Sequence, residues 1–105
     1  MTEAIMVTIT FDSAEKANEM ARLILERRLA ACIQVLGPVT STYRWNGPIE
    51  SAQEWLALIK TRHEHFESLE LLVKEHHSYE VPEILAVPIV AGSRDYLDWL
   101  MNETE

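Results

Sequence analysis

The pair Asn46-Gly47, flanked on both sides by extended-reading sequence, is the feature that most limits what this chain can fold into. A two-residue type I′ turn needs positive φ at both central residues, and Asn-Gly is the pair that tolerates it. One arm reads Ala31 to Leu36 and then Val39 to Trp45; the other runs on to Thr61. Gly37-Pro38 inside the first arm predicts a bulge or bend and not a break. The arms come to about 13 to 15 residues, where 5 or 6 is usual. Between Gln53 and Thr61, Trp55, Ala57 and Ile59 face one way while Leu56 and Leu58 face the other. Both faces are therefore dry. An antiparallel sheet in a monomer normally keeps one wet face, so helices are expected over one side and a further layer or another subunit over the opposite one.

The remaining segments supply the partners of this hairpin. Ile5, Val7, Ile9 and Phe11 alternate with Met6, Thr8 and Thr10, the pattern of a half-buried strand. Asp12, with Glu15 three residues on, predicts a capping box for a helix from Ser13 to about Ala30, with Ala17, Met20, Ala21, Ile24 and Leu25 as its apolar face. A second helix is expected from about Glu64 to His76, with Phe66, Leu69, Leu72 and Val73 turned inward. Residues 82–90 read as a strand, and Pro88 places it at an edge or a bulge. Ser93 then caps a short helix with Tyr96, Leu97 and Leu100 on its apolar side. The order β-α-β-β-α-β, then α, is the ferredoxin-like split arrangement. The expectation is an α+β fold, a ferredoxin-like βαββαβ sandwich with an antiparallel sheet and a C-terminal helix, in a single domain over residues 1–105.

Charge narrows the function. The chain has 9 Lys and Arg against 17 Asp and Glu, a formal net charge of −8. Most of the excess lies in residues 53–105. Such a chain repels phosphate backbones, so neither nucleic acid nor an anionic membrane is an expected partner. No apolar run approaches a membrane span, and the non-basic N-terminus does not read as a signal peptide. One Cys excludes an internal disulfide framework and suits a reducing, cytoplasmic setting. Phosphate-binding glycine loops, a nucleophile elbow and Cys-x-x-Cys are all missing, so no enzyme is indicated. His63, His65, His76 and His77 form no i,i+4 pair on a helix, and a lone strand Cys such as Cys32 reads more readily as a small buried side chain than as a thiolate ligand.

Ala30-Ala31-Cys32, Ser41-x-Tyr43-x-Trp45-x-Gly47, and Glu54 through Ile59-Lys60-Thr61 together resemble the signature of the CutA family of divalent-cation tolerance proteins. His77-Ser78-Tyr79-Glu80-Val81-Pro82-Glu83-Ile84, Pro88-Ile89 and Tyr96-Leu97-x-Trp99 continue it over nearly the whole chain. The resemblance implies a homotrimer built by strand pairing between subunits. It also implies a role in cation tolerance and in the response to metal ions, with binding of copper or another divalent cation in place of turnover. Carried over by position, His77 and Cys32 are the metal-ligand candidates. Imidazole suits Cu(II) or Zn, and thiolate suits Cu(I). Tyr43, Trp45, Lys60, Tyr79, Glu80 and Glu83 match positions lining an intersubunit cleft. Gln34, the order Gly37-Pro38, and Ser78 depart from the usual Asn, Pro-Gly and Pro. The expected partners are further copies of the chain and metal ions. The alternative is a trimeric signalling or scaffold module, resembling PII-type trimers in shape, whose cleft takes a small ligand or a protein partner.

Overall fold

Strong β-formers at alternating positions make Ala4–Phe11 the first strand, β1, and bury Ile5, Val7, Ile9 and Phe11. The computed structural model describes residues 2–105; Met1, at the head of the non-basic N-terminus, lies outside them. Helix α1 spans Ala14–Glu26 and is capped by Ser13, whose Oγ accepts from the Lys16 amide at 3.1 Å. Asp12 is thus not the cap that the sequence predicts. Its carboxylate pairs instead with the Lys16 ammonium at 3.1 Å. The helix also stops short of Ala30. Arg28 takes φ 58, and the amides of Arg28 and Leu29 bond back to Leu25 and Ile24 at 3.0 and 3.1 Å. This is a Schellman ending with arginine where glycine is usual, and it leaves no local signal to read.

The hairpin follows as β2, Cys32–Arg44, and β3, Ile49–Arg62. Asn46 has φ 53 and Gly47 φ 111, and the Trp45 amide donates to the Pro48 carbonyl at 3.0 Å, as the turn chemistry predicts. At Gly37-Pro38, joined by a cis peptide, the register slips so that Leu36 faces Leu56 but Val39 faces Glu54. This is a bulge of one residue. It is packed against Trp55: a Cβ at Gly37 would lie 2.7 Å from Trp55 Cγ. A 3₁₀ turn at His63–His65 precedes α2, Phe66–His76, so the second helix begins later than expected. Strand β4, Ile84–Pro88, and α3, Arg94–Glu103, complete the chain; Ser93 Oγ caps α3 through the Tyr96 amide at 3.3 Å.

The sheet order is β2-β3-β1-β4 with every pairing antiparallel, the ferredoxin-like arrangement, and β4 is an edge strand as Pro88 requires. Helices α1 and α2 cover one face. Ala17, Met20, Ile24, Leu69, Leu72 and Val73 pack there against Ile5, Val7, Ile9, Ala57 and Ile59. The second face carries Met6, Thr8, Thr10, Gln34, Leu36, Glu54, Leu56, Leu58, Lys60, Leu85 and Val87, which follows from their alternation with the core residues. Only one end of it is capped, by α3. Arg62 holds that helix, its Nε donating to Thr104 Oγ1 at 3.0 Å and another nitrogen to the Met101 carbonyl.

Strand β1 meets β3 only from Trp55 onward. Residues 49–54 and 39–44 therefore project as a two-stranded ribbon, and the molecule measures 44 × 26 × 22 Å. An unsupported ribbon of this kind is marginal in water. Two glycines in it are constrained for different reasons. Gly47 has no heavy atom within 4 Å of an added Cβ, so Gly47→Val is penalised only through its positive φ, by about 1–3 kcal/mol. Gly37→Ala must displace the Trp55 indole, at about 1–3 kcal/mol. Chemical denaturation should show both losses. Relief by Trp55→Leu is expected for Gly37→Ala and not for Gly47→Val.

Candidate functional site

The extra residue in β2 decides what stands beside what on the uncovered face. Beyond the bulge, Val39, Ser41 and Tyr43 stand opposite Glu54, Ala52 and Glu50. The loop after α2 brings Tyr79 against the same patch. A groove of about 730 Å³ results, lined by Thr10, Tyr43, Trp45, Glu50, Glu54, Tyr79, Glu80 and Glu83 among others. Five of the six residues expected in a cleft, Tyr43, Trp45, Tyr79, Glu80 and Glu83, are thus brought together within one chain. Lys60 is not among them. It faces Cys32 and Met6 at the far end of the same face and donates to Gln34 Oε1.

Glu54 is the centre of the groove. It is only 9% exposed, and its Oε2 accepts from the Tyr79 hydroxyl at 2.7 Å. Burial, reinforced by that bond and by the negative charge of Glu54, raises the Tyr79 phenol above its ordinary range, so it remains a proton donor. Glu83 is held by Thr8 Oγ1 at 2.9 Å. Glu50 lies outside the quoted motifs, and Glu54, which heads one of them, is not among the residues carried over to the cleft. The signal available for Glu54 is a carboxylate on the strand face that it shares with Leu56 and Leu58.

His77 adjoins this groove from the helix side. Its ring stacks on Phe11, with centroids 4.7 Å apart at 15°. Nδ1 accepts from the Tyr79 amide at 3.0 Å, which leaves Nε2 to donate to the Thr10 carbonyl at 2.7 Å. Both ring nitrogens are occupied, and the imidazole fixes the backbone that presents Tyr79. Cys32 is half-buried beside Tyr96, whose phenol is raised by burial and then by the neighbouring sulfur. Thr10 faces Leu56 and Cys32 faces Lys60, a separation of four residues or about 13 Å along β3. The two metal-ligand candidates therefore do not meet within one chain. Among the described residues, no three His, Cys, Asp or Glu side chains gather as a metal-binding group.

The fold, the hairpin and the Tyr79 segment have counterparts in known proteins. Residues 5–103 match the model of the family described as CutA1 divalent ion tolerance protein. The chain belongs to the CutA1 family. A divalent-cation tolerance protein CutA of Thermus thermophilus is 46% identical over 99 residues, spanning 94% of this chain and 96% of that one. A chloroplastic CutA of Arabidopsis thaliana is 40% identical over 101 residues, which is 96% of this chain but 56% of the plant protein. A solved structure of a divalent cation tolerance protein from Thermus thermophilus superposes with a TM-score of 0.94 at 45% identity, covering 97% of this chain and 99% of that one. The structure described as the periplasmic divalent cation tolerance protein CutA from Archaeoglobus fulgidus gives 0.94 at 39%, with 97% and 99% covered. The Thermus thermophilus and Archaeoglobus fulgidus proteins are named for tolerance to divalent cations, and the plant protein is named only as CutA.

The Tyr79–Glu54 pair makes a stability prediction in this CutA1 chain. Tyr79→Phe leaves the Glu54 carboxylate without its donor and should cost about 1–3 kcal/mol in denaturant titrations near neutral pH. Because the folded phenol binds its proton more tightly than the unfolded one, its contribution is complete below the ordinary phenol value near ~10 and is lost as pH rises through the higher folded value. The alkaline fall in thermal midpoint should therefore be shallower in Tyr79→Phe than in the parent.

Proposed function

We propose that this chain serves divalent-cation tolerance as a homotrimer, with copper as the leading cation and with a functional cleft formed between subunits. The observation that supports this most is the separation of Lys60 from the other five cleft residues. Tyr43 and Lys60 lie on one sheet face, which is acidic at the groove end, where the Tyr79 loop joins it, and basic at the end bearing Lys60. A head-to-tail contact brings the basic end of one copy to the acidic end of the next, and such contacts close into a ring when the rotation permits. The exposed Leu36, Leu85 and Val87 and the projecting ribbon supply apolar area and unpaired strand edges for the same contact. In this reading His77 and Cys32 remain the imidazole and thiolate ligands. Each engages a cation separately, or together with groups of another copy. His77 does so by releasing the Tyr79 amide. A cytoplasmic setting keeps Cys32 a thiol.

Light scattering at micromolar concentration should give a trimeric mass, and Lys60→Glu should shift it toward monomer. A monomeric parent would refute the assembly.

A second reading, a PII-like scaffold that takes a small ligand or protein in the cleft, is favoured by the hydrogen bonds that already occupy both His77 nitrogens. Copper titration separates the two. His77→Ala is expected to weaken Cu(II) binding markedly and Cys32→Ser to affect mainly Cu(I). Equal Cu(II) affinity in His77→Ala would remove the ligand assignment and leave the scaffold.

A further inference from the structure

We draw no further inference here: the strongest candidate, the exposed Tyr96 and Trp99 ring pair on α3 beside Cys32, adjoins the sheet face assigned to another copy of the chain, and nothing in the structure shows what covers it.

Discussion

The contact between Gly37 and the Trp55 indole is the constraint on which the uncovered face depends. Before it, the residues of β2 on that face are Cys32, Gln34 and Leu36; after it, they are Val39, Ser41 and Tyr43. One extra residue reverses the parity of everything that follows, since strand side chains alternate with period two. Without the reversal Tyr43 would point away from Glu54, and the groove would have one aromatic wall fewer. The hairpin is thus two registers joined at a bulge, held where the absence of a Cβ lets an indole lie on the backbone.

The two faces of the sheet have different work. The helix-covered face is closed by aliphatic packing and by polar groups that find partners there, such as Thr61 Oγ1 bonding the Leu29 carbonyl at 2.7 Å. The other face is graded along its length. Its acidic end is the groove, its middle is Leu56 and Leu58, and its basic end is Lys60 and Arg62 under α3. Arg62 makes this grading durable, because its bonds to the C-terminal helix fix that helix at one end and leave the rest of the face uncovered. His77 links the faces. Stacked on Phe11 at the rim of the core and bonded to Thr10 on β1, it sets the position of the tyrosine that holds Glu54.

Much of this is legible residue by residue. Alternation in β1, the Asn46-Gly47 turn, the inward stripe Leu69, Leu72 and Val73, the Ser93 cap and the edge role of Pro88 are local signals, each with a local physical cause. The first cap is ambiguous in sequence because Asp12 and Ser13 are both competent N-caps. The choice falls to the side chain whose backbone is extended, and Asp12 finds Lys16 instead. The end of α1 is overrun by a sequence reading because Arg28 occupies a left-handed position that composition assigns to glycine.

The sequence by itself determined the element order, the apolar residues on both faces of β3 and the family, because periodicity, turn chemistry and motif spacing act over a few residues. Only the tertiary structure decided which motif residues share a site. Lys60 and Tyr43 belong to one hairpin and one face, yet they lie at opposite ends of it. His77 and Cys32, the two metal-ligand candidates, are held apart by four residues of β3, and the imidazole is drawn into hydrogen bonds with Thr10 and Tyr79. Those outcomes depend on strand register and on which donors and acceptors the packed chain leaves open. Neither quantity is encoded in the spacing of a motif.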